Sequence, residues 1–252
     1  MTKLKPPFPE RNCLRSSNSM FSGVVFDLDG VIVDSHPVHK RAWREFLTYL
    51  GKNVSDLDLG FIFEGRRREE ILIHFLGDLS DSQIHEYGKK KDEFFRQASE
   101  DLKPVEGTIE FIRILKQAEV CMGLATSASR QRALWTLQQL EVNDCFDVVV
   151  TGDDVIKGKP DPALYSLAAE RLGISPHFLV AVEDSISGVA SAKSAGLYCV
   201  GVASADDGAR LIRAGADCVV PNLMKLSIQD LDERLKTSSP DRENRHFVSA
   251  SG

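Results

Sequence analysis

Asp27 and Asp29 stand one residue apart directly after the apolar run VVF, in the stretch VVFDLDGVIVDS that spans 24–35. Other apolar runs end in groups that could join them: VCMGLAT leads to Thr126 and Ser127, FLVAVED ends at Glu183 and Asp184, and KGKPDP, with Lys157 and Lys159, follows DVVVTGD. Carboxylates gathered at one rim repel one another unless a cation lies among them, and hard oxygen donors select magnesium. A lysine and a hydroxyl at the same rim are anion ligands, so the set suits a phosphate that bridges metal and lysine. A carboxylate can then attack phosphorus, provided metal and lysine neutralise the dianion. A second carboxyl can protonate the leaving oxygen and later deprotonate a water. Asp27 and Asp29 can divide these tasks. The plainer alternative for D-x-D by itself is an aspartate capping a turn, and it weakens when four strand ends converge.

For those ends to converge, the runs must be neighbouring strands. GVVFD, VCMGLAT, DVVVTGD, FLVAVED and YCVGVAS are too short for buried helices and apolar at nearly every position, as strands covered on both faces are. Helical patterns lie between them (GTIEFIRILKQAE, SRQRALWTLQQLE, DPALYSLAAERLG, SISGVASAKSAG), several ending at a glycine suited to a C-cap. The alternation predicts an α/β fold, a Rossmann-like three-layer core with a parallel sheet. It breaks once, where HKRAWREFLTYLG, RREEILIHFLGD and SQIHEYGKKKDEFFRQASE read as helices with no strand between them. A small all-helical insertion over 36–104 accounts for this, with the core made of 20–35 and 105–236 and polar tails at 1–19 and 237–252. Ligands of such a sheet bind beyond the carboxyl ends of its strands.

The 252 residues are 42% apolar and 27% charged, enough for one large domain carrying a smaller one. A formal net charge of -6 argues against a nucleic-acid or anionic-membrane partner. No run approaches the length of a membrane span, and the opening segment lacks the apolar core of a secretory signal. Five scattered cysteines without a C-x-x-C pair suggest neither a disulfide framework nor a zinc site. The expectation is a cytoplasmic protein, a monomer or weak homo-oligomer, acting on a small phosphorylated molecule.

FDLDGVIVDS, LATSAS, KGKPDP and VEDSISGVASAKSAG, in this order, resemble the four motifs of the haloacid dehalogenase superfamily. The helical insertion after the first motif is similar to the cap of its β-phosphoglucomutase-like branch. The resemblance implies that Asp27 is the nucleophile and Asp29 the general acid/base, with Ser127 and Lys159 on the phosphate. Asp184 would hold Mg2+ with Glu183 beside it, and the backbone carbonyl of Asp29 would also touch the ion. It implies further that His39, Trp43, Arg68 and Lys91 of the cap, and Ser129 and Arg130 of the core, line the substrate pocket. Gln131 stands where the family pattern has asparagine, and Arg66 and Arg67 replace smaller residues. Because dehalogenases of the superfamily do not keep the second aspartate, Asp29 favours phosphoryl transfer.

Each of these residues has a plainer alternative. His39 could be a surface residue on an amphipathic helix, Trp43 a core residue, and Ser127 a helix cap. RRR and KKK could be solvated helix faces with at most one ligand-facing residue each. The functional expectation is a Mg2+-dependent phosphatase of a small phosphorylated metabolite, a sugar phosphate above all, working through an aspartyl phosphate. A sugar phosphomutase is the second reading. A non-catalytic phosphoacceptor module, of the kind that also sets acids and a lysine on a parallel sheet, is the third.

Overall fold

The structure, a computed structural model, describes residues 20–63 and 66–238. Strands β1 (Gly23–Phe26), β4 (Cys121–Ala125), β5 (Val148–Val150), β6 (Leu179–Glu183), β7 (Tyr198–Val202) and β8 (Cys218–Val220) form one parallel sheet in the order β5-β4-β1-β6-β7-β8. Helices α4 (Thr108–Gln117), α5 (Arg130–Gln139), α6 (Ala163–Leu172), α7 (Ile186–Ser194), α8 (Ala205–Arg213) and α9 (Ile228–Ser238) cover it. Successive β1 side chains go to opposite faces. Val24 and Phe26 join Phe111 of α4, Leu137 of α5 and Leu231 of α9 on one side. Val25 joins Leu164 of α6, Val189 of α7 and Leu211 of α8 on the other. Phe26 meets Phe111 and Phe146 edge-on, with ring centroids 6.5 and 6.1 Å away.

The core has one sheet strand and two helices beyond those expected from sequence. The sixth strand is the three-residue CVV segment, and α8 and α9 flank it. Thr237 and Ser238 form the last turn of α9; the remaining tail segments expected at 1–19 and 239–252 lie outside the described residues. Cys145, Cys199 and Cys218 are free, but Cys121 is disulfide-bonded, against the expectation of no disulfide framework. Spacing along a chain does not limit which thiols folding brings within bonding range. No helix among the described residues is long and apolar enough to cross a membrane.

From β1 the chain turns through Gly30, at a φ of 79° that favours glycine. It leaves the core along β2 (Val33–Asp34) and returns along β3 (Lys103–Pro104), which pairs antiparallel with β2. Between them run α1 (His36–Tyr49), α2 (Arg68–Leu76) and α3 (Asp81–Gln97), with a short 3-10 turn at Asp58–Phe63. Pro37 opens α1, and Ser80 and Gln83 form a capping box on α3. Trp43, Phe46, Leu47, Leu59 and Leu72 give these helices a core of their own.

Strand order reverses between β1 and β6: β4 and β5 extend one way, β7 and β8 the other. A crevice opens at such a reversal, beyond the carboxyl ends of the strands. The inserted helices stand over it.

Candidate active site

Asp27 is the first residue past β1, and its amide donates to the Val182 carbonyl of β6 at 3.0 Å. That bond ties the loop to the neighbouring strand, whose own end supplies Glu183 and Asp184. Lys159 reaches in from the loop before α6. Its ammonium, 2% exposed, donates to Asp27 Oδ1 at 2.7 Å and to Glu183 Oε1. Glu183 is fully occupied: Oε1 also accepts from the Tyr165 hydroxyl at 2.8 Å, and Oε2 accepts from the Ser185 hydroxyl and the amides of Asp184 and Ser185. One oxygen each from Asp27, Glu183 and Asp184 lie within 4.8 Å of one another.

The electrostatics follow from burial. Loss of hydration lifts the Asp27 carboxyl to about 7; Lys159 opposes this, and Glu183 and Asp29 add to it. Asp184 is raised well above the usual carboxylate range by burial and by the charges of Glu183 and Asp27. Lys159 is raised as well, which for a base favours the charged form, since the attraction of Asp27 and Glu183 outweighs its own burial. One lysine facing three acids leaves excess negative charge at the cleft floor, which a hard cation would neutralise.

Gly188 on α7 makes room for Glu183. A Cβ there would sit 2.0 Å from the Glu183 carboxyl. Gly188→Ala is expected to cost about 1–3 kcal/mol through overpacking, read as a lower denaturant midpoint at unchanged slope.

Asp29 faces a different set of groups. Arg132 grips it with two bonds, Nη1 to Oδ1 at 2.9 Å and Nη2 to Oδ2 at 2.5 Å, while Ser35 Oγ donates to Oδ1 at 2.6 Å. His39 Nε2 lies 3.3 Å from the same Oδ1. Burial acts upward on Asp29, but Arg132 and His39 outweigh it and hold the carboxyl well below its usual range. Its carboxylate is thus outside the acidic cluster.

The residues expected from the cap gather over this point. His39 is largely buried rather than on a solvated helix face, and burial, with Lys91 beside it, depresses the imidazole to about 3. Lys91 Nζ lies 3.1 Å from His39 Nδ1, over the rings of Trp43 and Phe95, and burial lowers it to about 7. Trp43 belongs to the cap core and also lines the cleft. Arg68 lines it too, bonded to Asp92. Arg66 lines the cleft as well. Arg67 donates to the carbonyls of Gly152 and Ile156 in the core.

On the core side Ser127 lines the cleft, and Ser129, rather than Ser127, caps α5. Arg130 does not line it. Its guanidinium turns to Asp154 at 2.8 Å and its amide to Asp153. Residues one apart on a helix point about 100° away from each other, whereas residues three apart share a face. Arg132, three past Ser129, therefore occupies the place expected of Arg130. Sequence reasoning missed it, and the spacing from Ser129 was the available signal. Asp92, Tyr165 and Ser35 were missed as well.

The assembled cleft is lined by Asp27, Asp184 and Lys159 at its floor and by cap side chains above. It can seat a small anion between acid cluster and lysine, with a carboxylate ready to attack. A family profile described as haloacid dehalogenase-like hydrolase matches residues 21–196. The chain is 39% identical, over 78% of its length and 93% of the relative's, to a Thermotoga maritima protein named phosphorylated carbohydrates phosphatase. It is 30% identical, over 86% and 99% of the two chains, to the β-phosphoglucomutase of Bacillus subtilis. Among solved structures, a family IA haloacid dehalogenase hydrolase from Entamoeba histolytica superposes with a TM-score of 0.75 at 26% identity, covering 85% of this chain and 99% of that one. By profile, relatives and fold alike, this chain belongs to the haloacid dehalogenase-like hydrolases.

Proposed function

We propose that the protein is a Mg2+-dependent phosphatase of a small phosphorylated carbohydrate, working through an aspartyl phosphate on Asp27. The observation that carries this reading is the Lys159 ammonium 2.7 Å from Asp27 Oδ1, beside the acidic cluster of Asp27, Glu183 and Asp184. The names of several relatives, among them a hexitol phosphatase and a fructose-1-phosphate phosphatase, support the substrate class.

The donor set fits magnesium, being all oxygen and in excess negative charge. Asp27 and Asp184 would hold the ion, because both Glu183 oxygens are engaged by Lys159, Tyr165, Ser185 and backbone amides. When bound, the ion supplies charge neutralisation for a phosphate dianion. Gly30 permits this placement, since a Cβ there would meet Asp184 Oδ2 at 1.9 Å.

Asp27 forms a bond to phosphorus as the bond from phosphorus to the sugar oxygen breaks, and that oxygen takes the proton of Asp29. Asp29, now a carboxylate, removes a proton from the water that displaces phosphate from Asp27. This step returns Asp29 to its acid form. Lys159 holds phosphate charge throughout, and Ser127 supplies a hydroxyl at the same rim. In the arrangement seen, Arg132 keeps Asp29 ionised, so entry into the cycle requires Asp29 to take up a proton and leave that grip.

A panel of sugar, polyol and short acid phosphates tests the reading. Phosphate release from at least one carbohydrate phosphate is expected, falling by about 100-fold or more when a chelator removes the metal. Release from none of them overturns it. The B. subtilis relative's name keeps a mutase as the second reading. Glucose 1-phosphate with a bisphosphate primer separates the two, free phosphate supporting hydrolysis and glucose 6-phosphate supporting transfer.

A further inference from the structure

The part of the cleft around Asp29 and Asp92 is rich in cations, yet each has a partner. Arg132 is spent on Asp29. Lys91 rests on His39 between two aromatic rings. Arg66 lies over the Phe61 ring, 3.6 Å from Glu70. Arg68 Nη1 donates to Asp92 Oδ2 at 2.9 Å, and the Ser129 hydroxyl donates to the same oxygen at 2.7 Å. Asp92 thus sits on the guanidinium and the hydroxyl that would otherwise bind an anion, joining α3 of the cap to the first turn of α5 in the core. Burial disfavours its charge, but Lys91, Arg68 and Arg132 outweigh burial and hold the carboxyl below its usual range.

We propose that Asp92 is a specificity-determining residue: its carboxylate fills the anion position offered by Arg68 and Ser129 in the cleft, so that the site takes monophosphates of neutral polyhydroxy compounds and discriminates against substrates bearing a second phosphate or a carboxylate. The proposal rests on the phosphatase reading and narrows its substrate class. A second phosphate would have to displace Asp92 from Arg68 and Ser129 or lie beside its charge, and like charges brought together in a desolvated pocket are a strong means of rejection. Hydroxyl groups meet no such penalty, because they can donate to the carboxylate and accept from the guanidinium.

Calorimetric titration of the Asp27→Asn protein, which binds without turnover, with glucose 6-phosphate and glucose 1,6-bisphosphate in magnesium tests this. The bisphosphate is expected to bind no more than about 3-fold tighter than the monophosphate. Adding Asp92→Asn, which keeps the shape and a hydrogen-bonding oxygen, is expected to shift the ratio by about 10-fold or more toward the bisphosphate; Asp92→Glu, which keeps the charge, is expected to leave it low. A bisphosphate preference of about 30-fold before any change at Asp92 overturns the proposal, as does a ratio that Asp92→Asn does not move. The first arm decides even if the Asp92 variants fail to fold. Turnover by the unaltered protein is scored separately: no hydrolysis with the expected binding ratio removes the phosphatase reading alone, and binding of neither sugar removes both.

Discussion

Asp27→Asn abolishes turnover, with kcat expected to fall by about ten-thousand-fold or more, because among the described residues no other carboxylate sits at the strand end in contact with Lys159 and free to attack. Its fold survives. Asn keeps the size of the side chain, and the charge it removes is one the folded protein tolerates poorly, since Asp27 is raised to about 7 even with Lys159 in contact. A carboxyl raised on folding gives stability that falls with pH: between the unfolded value of 3.8 and about 7, the folded chain keeps a proton that the unfolded chain has lost. Metal-free Asp27→Asn is therefore expected to gain melting temperature relative to the unaltered protein as pH rises from 4 to 7, the difference levelling off above. Taking the difference between the two proteins removes the contributions of His39 and Asp29, which are lowered rather than raised. Residual metal-dependent turnover near the original rate, or a gap that does not change with pH, contradicts the roles assigned to this residue.

Lys159→Met has the second large effect, and it acts on fold and chemistry together. The methionine replaces a 2% exposed ammonium that two carboxylates contact. Asp27 and Glu183 then remain buried without their counter-charge, and breaking such a cluster by removing one partner costs about 3–5 kcal/mol. Activity is expected to fall by about a thousand-fold or more, since the developing phosphate charge loses its ligand. Magnesium should recover part of the lost stability in this variant more than in the unaltered protein, because an ion that binds only the folded chain takes over some of the neutralisation. Denaturant titrations with and without the metal measure both effects. A variant as stable as the original in the absence of metal contradicts the electrostatic account of the cleft floor.

The sheet and the loops that meet in the cleft were legible because parallel strands buried on both faces leave unbroken apolar runs, and because ligand sites in this architecture concentrate at their ends. VVFDLD, LATS and VED show this directly. The sixth strand escaped because CVV, at one edge of the sheet and only partly buried over Cys218 and Val219, lies in a short run cut off by Pro221. Arg130 was taken for a pocket residue from its place in SASRQ, yet helix geometry gives the position to Arg132. Asp92 was illegible for a different reason. Its neighbours Arg68, Ser129 and Lys91 come from α2, the start of α5 and α3, and which of them meet depends on how the inserted helices settle on the core. No local pattern in sequence records that closure. His39 could be read either way from its helix alone; only the position of Asp29 beneath α1 shows that the ring is enclosed.

The central claim is that phosphate passes through a covalent bond to Asp27. Rapid quenching of the protein during turnover of a carbohydrate phosphate in magnesium, followed by borohydride reduction and peptide mass spectrometry, tests it most directly. Borohydride converts an aspartyl phosphate to homoserine, so the account predicts homoserine at position 27, dependent on substrate and metal, and none at Asp29 or Asp184. Turnover with position 27 unmodified, or homoserine at another aspartate, contradicts it.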